Sequence, residues 1–342
     1  MSGATSARVR RRWPRRVALS IGLLALALAL IAGGVVAFAP QRIVQALLAH
    51  KSASLGLASR QVDVDGVRWH YYEAGQGQTV VLVHGIASTR AVWLALAARL
   101  GARHRIVIPD LPGWGETRPL DGATVDDGID AQAARLGAFV DEIAHDRVVL
   151  VGHSMGGAIA GTLAAERPER VAGLVLLDSF GLDAPPTAFE RQVRGGDNPF
   201  LYRDAAGFER ANAFAFDRPH ATPAWLRRGL VRLNADAAPR IEAAFARLAE
   251  PAQMRALQRR LGEIRGPVLG LWCRGDRIVD PAALESLRRG LSGDVVMEGR
   301  LLEGCGHMPM MEQAVPTAAA ITGFIEGIVM PAAGGRSTPG LR

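Results

Sequence analysis

Residues Val148 to Gly161 read VVLVGHSMGGAIAG. Four apolar residues run into a glycine, a serine and two more glycines, then into small apolar residues. Two machines begin this way. One cradles a dinucleotide phosphate at the start of a helix and needs G-x-G-x-x-G after a strand, with an acid ending the next strand. The other is G-x-S-x-G, a sharp strand-to-helix turn that presents a serine as nucleophile. Asp178, ending LVLLD, partly imitates the first pattern. Ser154, however, stands where the second glycine must let the backbone approach a pyrophosphate, and a side chain there spoils the fit. The stretch therefore predicts a nucleophile elbow at Ser154, its flanking glycines required by crowding.

Outward from the elbow, short apolar runs alternate with helical stretches. VVLV (80–83), IVI (106–108), VVLV (148–151), LVLL (174–177), VLGL (268–271) and LL (301–302) are strand candidates, and residues 62–75 open the series as an antiparallel hairpin. This alternation predicts an α/β fold, a mostly parallel eight-stranded sheet with helices on both faces. No buried strand is visible between about Leu182 and Leu261, where the stretches AAGFERANAFAF, AWLRRGLVRL and RIEAAFARLAEPAQMRALQRRL are all helical in pattern. We read residues 61–182 and 262–330 as the core, 183–261 as an inserted helical cap, and 40–60 as a short amphipathic linker with Ile43, Leu47 and Leu48 on one face. The tail, 331–342, reads as disordered.

The chain has 342 residues, 49% of them hydrophobic, enough for a large core. Its net charge of +7 is misleading, because residues 1–16 alone hold six arginines and no acid. The remainder is nearly neutral, which argues against a nucleic-acid surface. Val17 to Ala39 then contains no charged residue. At 1.5 Å rise each, 23 residues span roughly 35 Å, enough to cross a bilayer. We expect a single-pass anchor with residues 1–16 cytoplasmic and the rest across the membrane, in a bacterium the periplasm. The alternative is secretion after cleavage. Ala37-Phe38-Ala39 resembles a cleavage site, but the apolar run is long for a signal and Pro40 is a poor place to cut. Arg15-Arg16 fits twin-arginine export poorly.

A serine nucleophile needs a base, and the base an orienting acid. His307, after the last strand candidate and between Gly306 and Met308-Pro309, is the expected base. Asp276, on the loop after 268–271, is the expected acid. Asp178 is the second choice and Asp280 the third, the latter better suited to capping before Pro281. The oxyanion of the transition state needs donors, expected from the backbone N–H groups of Met155 and Ile86. His84 is assigned to loop hydrogen bonding, not proton transfer. No metal or organic cofactor is implied.

HGIASTRAVW (84–93), PDLPGWGETR (109–118), GHSMGG (152–157), LWCRGDRIVD (271–280) and GCGHMPMME (304–312), in this order, resemble the α/β-hydrolase fold superfamily over about residues 60–328. The cap sequence NPFLYRDAAGFERANAFAF, with RPHATPAWL after it, is similar to membrane-anchored bacterial lipases and monoacylglycerol lipases. A departure is Cys273, where such sequences commonly carry Gly. The resemblance implies a serine esterase acting through an acyl-enzyme on a small-molecule acyl ester, with lipid-derived or medium-chain acyl groups suited to the apolar cap. Phe180, Leu182, Phe200, Phe214, Phe216 and Trp225 are the expected pocket residues. Two rivals stand beside it. A carbon–carbon bond hydrolase of ring-cleavage diketones uses the same triad but needs an arginine for the substrate carboxylate, for which Arg90, Arg191 and Arg194 are candidates. A non-catalytic ligand-binding protein would be expected to have lost a triad member, and none is missing. Cys273 and Cys305 flank the acid and base loops. A disulfide there would pin the two loops, whereas two partly buried free thiols is the plainer expectation.

Overall fold

In the computed structural model the described residues are 39–219 and 221–330, together with 17, 19–24 and 34. The basic segment 1–16, most of the expected anchor 17–39 and the tail 331–342 lie outside them. No helix among the described residues is long and apolar enough to cross a membrane.

Each apolar run becomes a strand at or near its expected place. β1 (Ala58–Val64) and β2 (Val67–Ala74) form the opening hairpin. After them come β3 (Thr79–Val83), β4 (Arg105–Pro109), β5 (Arg118–Pro119), β6 (Val148–His153), β7 (Val171–Leu177), β8 (Val268–Cys273) and β9 (Met297–Leu302). The order across the sheet is β1-β2-β4-β3-β6-β7-β8-β9. β1 to β4 pair antiparallel along that path, and every pair from β4 to β9 is parallel. Eight strands thus form the path as expected, and the ninth is the two-residue β5 paired to β2. No apolar run announces β5.

Burial explains why the central strands are continuously apolar. β3, β6, β7 and β8 are buried at every position. Val81, Val83, Val148, Leu150, Leu174 and Leu176 join one core layer, with α3 (Ile129–Ile143) and α4 (Met155–Glu166). Their neighbours in the chain, Val80, Leu82, Val149, Val151, Val175 and Leu177, join the layer beneath α2 (Leu94–Leu100) and the helix at Ala314–Phe324. This is strand periodicity with both faces covered, and each such side chain contributes roughly 1.5–3 kcal/mol on burial.

Between β7 and β8 lie the cap helices α5 (Ala188–Arg194), α6 (Ala205–Ala215) and α7 (Ala224–Leu248), followed by the short helical turns Pro251–Met254 and Gln258–Glu263. The stretch read as a linker is different from expectation. Residues Pro40–Ser54 form a helix, α1, that packs on α7. Val44 is buried there, and a Cβ on Gly229 would lie 2.5 Å from its side chain and 2.8 Å from the Pro40 carbonyl oxygen. Leu47, expected on the apolar face, is instead exposed. The partner that buries Val44 is far along the chain, so local pattern did not reveal the face.

Arg240 ties α7 to the core. Its guanidinium donates to the carbonyls of Pro112 and Val125 at 3.1 and 3.2 Å, pairs with Asp127 and lies over the Trp114 ring. Burial pushes the Asp127 carboxyl up to about 6, with the Arg240 charge opposing, while burial lowers Arg240. Both shifts run against an ion pair, so desolvation outweighs the attraction here. A carboxyl raised in the folded state disfavours folding where it is ionised, and that penalty fades as pH falls from about 6 towards 4. Relative to Asp127→Asn, the wild type is therefore expected to gain up to roughly 2 kcal/mol between pH 7 and pH 4. Urea melts of both proteins across that range measure it, and parallel pH curves would contradict the assignment.

Candidate active site

The elbow forms because β6 must turn into α4 within one residue. Ser154 takes φ 53° and ψ −123°, a left-handed conformation that a non-glycine residue adopts only under constraint. The constraint is visible on either side. A Cβ on Gly152 would lie 2.3 Å from the Gly156 carbonyl oxygen, and one on Gly156 would lie 2.3 Å from that of Val83. The Ser154 N–H donates to the Leu177 carbonyl at 3.0 Å, and its own carbonyl accepts from Gly157 and Phe180. Its backbone is therefore held by β7 and by its own helix while the side chain lines a cavity. Met155 opens α4, and the N-terminal end of that helix offers positive charge to the cavity. The loop after β3 presses on the same point. A Cβ on Gly85 would sit 3.0 Å from that of Ser154, and Ile86 lines the cavity beside it.

His84 holds this loop, as expected. Its Nδ1–H donates to the Gly85 carbonyl at 2.8 Å and its Nε2 accepts from the Leu111 N–H at 3.0 Å. Burial lowers its pKa, so the ring stays neutral with both nitrogens in use.

His307 lies across the cavity from the loop. Its Nδ1–H donates to Asp276 Oδ2 at 2.8 Å, both side chains being buried. Asp276 Oδ1 accepts from the N–H groups of Ile278 and Val279, so the carboxylate is fixed at three points. Of the three acids weighed, Asp276 is the one paired with the imidazole. Asp178 is fully buried and accepts from the Cys273 N–H, and Asp280 accepts from the Ala282 N–H as a cap.

Sequence reasoning passed over two supports of the base. His153 Nε2–H donates to the His307 carbonyl at 2.7 Å, and burial holds its ring well below the usual histidine range. A neutral His153 adds no positive charge beside the base, with its ring 4.6 Å from that of His307. Glu312 accepts from the N–H groups of Gly306 and Asp217 at 2.7 and 2.9 Å, tying the base loop to the cap. The expectation of free thiols at Cys273 and Cys305 is overturned. The two form a disulfide, with Cα atoms 5.4 Å apart, because parallel β8 and β9 bring both strand ends to one rim.

Above Ser154 and His307 opens a cavity of about 370 Å³. Phe180, Phe200 and Phe216 line it, as expected from the cap sequence. Leu182, Phe214 and Trp225 do not. Leu182 packs on the core, Phe214 stands edge-on to Phe189 with centroids 5.5 Å apart, and Trp225 is 40% exposed at the start of α7. Phe189 and Phe245, passed over in the sequence, line the cavity in their place. Nothing in the amphipathic pattern of a cap helix tells a cavity-facing aromatic from one packed on its neighbour.

Residues 80–320 match the model of the alpha/beta hydrolase family. The chain belongs to this family. Among solved structures, this alpha/beta hydrolase resembles a membrane phospholipase A described as a novel bacterial virulence factor. They are 31% identical with a TM-score of 0.80, over 91% of this chain and 99% of that one. It is 25% identical to a putative lipase from Acinetobacter baumannii, TM-score 0.77, over 84% of this chain and 97% of that one. Among known proteins it is 28% identical to monoacylglycerol lipase abhd6-A of Xenopus laevis, over 74% of this chain and 77% of the relative. It is 29% identical to a 2-hydroxy-6-oxononadienedioate/2-hydroxy-6-oxononatrienedioate hydrolase of Paraburkholderia xenovorans, over 76% of this chain and 91% of the relative. Lipases and carbon–carbon bond hydrolases are thus both among its relatives, and what they share is hydrolysis.

Proposed function

We propose that this hydrolase is a serine esterase of lipid-derived or medium-chain acyl esters, monoacylglycerol lipase-like, with Ser154, His307 and Asp276 as its triad. Ser154 Oγ attacks the ester carbonyl while His307 Nε2 takes its proton and Asp276 steadies the imidazolium. The oxyanion is met by the N–H groups of Ile86 and Met155. Collapse expels the alcohol, which takes the proton from His307, and leaves an acyl-enzyme. Water, deprotonated by His307, then releases the acid and restores Ser154.

The observation that carries this reading is the wall of the cavity above Ser154. Aromatic and aliphatic side chains supply most of it, which suits an acyl chain. The carbon–carbon reading needs a cation free to meet a carboxylate. Arg90 is instead buried against Asp110 and Glu116 with its guanidinium over Tyr72, and Arg191 donates to the Pro186 carbonyl. Arg194 lines the cavity, but Glu190, one turn earlier on α5, lies within its electrostatic reach and also lines it. A substrate carboxylate entering there meets the Glu190 carboxyl as well as the Arg194 guanidinium.

The charge-free run 17–39 behind six arginines supports anchoring in a bacterial inner membrane with the catalytic part periplasmic. The Cys273–Cys305 disulfide suits that oxidising side. The test is hydrolysis of p-nitrophenyl esters of graded chain length, alongside a ring-cleavage diketone. Medium-chain esters are expected to turn over fastest. Turnover of the diketone alone, or of nothing, defeats the reading. Repeated on intact spheroplasts with an ester that does not cross the bilayer, the same assay tests the topology: the substrate is hydrolysed only if the site faces outward.

A further inference from the structure

The C-terminal end of α6 is closed by the catalytic loops. The last carbonyls of a helix lack an intrahelical donor and must find one elsewhere. On α6 the Ala215 carbonyl takes the His307 N–H at 2.8 Å. The Ala213 carbonyl takes the guanidinium of Arg277, the residue after Asp276. The base loop and the acid loop thus each satisfy one open carbonyl of a cap helix.

Glu312 locks this junction. It ends the helical turn Pro309–Glu312 that follows the base. Its Oε2 accepts from the N–H of Gly306, next to His307, at 2.7 Å. Its Oε1 accepts from the Asp217 N–H at 2.9 Å and from that of Arg218 at 3.4 Å, just past the end of α6. One carboxylate therefore has one oxygen on the base loop and the other on the cap. The two backbones lie too close for a side chain between them. A Cβ on Gly306 would meet the Asp217 nitrogen at 2.7 Å and the Ala215 carbonyl oxygen at 2.9 Å. Ala215 and Phe216, held in this clasp, also line the cavity.

We propose that Glu312 is a positioning residue for His307, through which the docked cap sets the place of the base. His307 has to serve two oxygens when the acyl-enzyme forms. Its Nε2 takes the proton of Ser154 Oγ as the new C–O bond forms, and passes it to the alcohol oxygen as the old ester bond breaks. The second transfer is the more exacting for a poor leaving group, because an alkoxide does not depart without that proton. A p-nitrophenolate departs as the anion, and His307 then gives its proton to water. A base loop released from the cap still offers an imidazole to Ser154, but not where the departing oxygen needs it.

This rests on the ester chemistry proposed above, and two esters of one medium-chain acid test it, the ethyl and the p-nitrophenyl. Glu312→Gln keeps the shape but turns one oxygen into an NH2, which sets a donor against the N–H of Gly306 or of Asp217. Its kcat/KM is expected to fall about tenfold or more further on the ethyl ester than on the p-nitrophenyl ester. Gly306→Ala, which forces the two backbones apart with Glu312 in place, should show the same bias. A clasp that merely shapes the cavity would slow both esters alike, since their acyl chain is the same. An equal loss, or no loss, overturns the proposal. Should neither variant fold, native-state hydrogen exchange of the wild type decides. The amides of Asp217, Gly306 and His307 are expected to open as one unit, with protection factors within about threefold of each other. Widely different protection overturns the proposal. If the wild type hydrolyses neither ester, the proposed function fails while hydrogen exchange still tests the clasp.

Discussion

Ser154→Ala is expected to lower serine-dependent ester turnover by roughly four to six orders of magnitude while leaving the fold intact. The size follows from what is lost. Covalent catalysis needs an oxygen at the tip of the elbow, and no other side chain occupies that turn. What survives is binding in the cavity and the N–H groups of Ile86 and Met155, which retain a small residue of catalysis over water. Stability should scarcely move, because the Ser154 backbone is held through its N–H and carbonyl, not its side chain. Alanine inherits the same φ of 53°, so the backbone strain stays. Glycine does not inherit it. Ser154→Gly is accordingly expected to be as inactive as alanine but about 1 kcal/mol more stable. Ester kinetics with denaturant melts of the three proteins check both halves together. An alanine variant keeping more than about a hundredth of wild-type turnover would place the chemistry elsewhere.

Much of this site could be read from the chain because its parts sit at strand ends. An apolar run buried on both faces is visible as a run, and the residue after it reaches the rim of a parallel sheet. That is how Ser154, His307 and Asp276 were found, in an order that needs no knowledge of contacts. Chain order ranked Asp276 ahead of Asp178, although both follow strands to the same rim. Their roles depend on which carboxyl faces the imidazole, a matter of side-chain direction and not of pattern. Cys273 and Cys305 posed a similar problem. Their meeting depends on β8 and β9 being neighbours in register, with Cys273 opposite Leu302. The cap was legible as an insertion but not as a surface. Phe189 and Phe214 touch one another, yet only the first lines the cavity, because helix packing sets which ring turns inward. His153 is a support of the base that pattern alone does not show. Its position in the elbow motif accounted for it, and its bond to the His307 carbonyl spans most of the sheet's sequence.

Loss of the Cys273–Cys305 bond should weaken the protein far more than it slows it. The cysteines are 32 residues apart in sequence. Releasing a loop of that size returns about 3–4 kcal/mol of conformational freedom to the unfolded chain. In a domain of this size that corresponds to a fall in Tm of roughly 5–10 °C. The acid and base loops have independent holds, which is why catalysis should suffer less. β8 and β9 pair from Val268–Met297 to Cys273–Leu302 whether or not the sulfurs are joined. Glu312 fixes the Gly306 N–H, the Ala215 carbonyl accepts from His307, and Asp276 keeps its two backbone donors. The Cys273→Ser/Cys305→Ser double variant is therefore expected to melt earlier yet keep kcat at 25 °C within about tenfold of wild type. Both cysteines are fully buried. A thiol reductant can reach them only when this corner opens, so reduction of the native protein should be slow and should accelerate in sub-denaturing urea. Thiol titration of the denatured, unreduced protein comes first, and two free thiols there would remove the premise. An unchanged Tm in the double variant would mean that β8–β9 pairing and Glu312 already hold this rim without help.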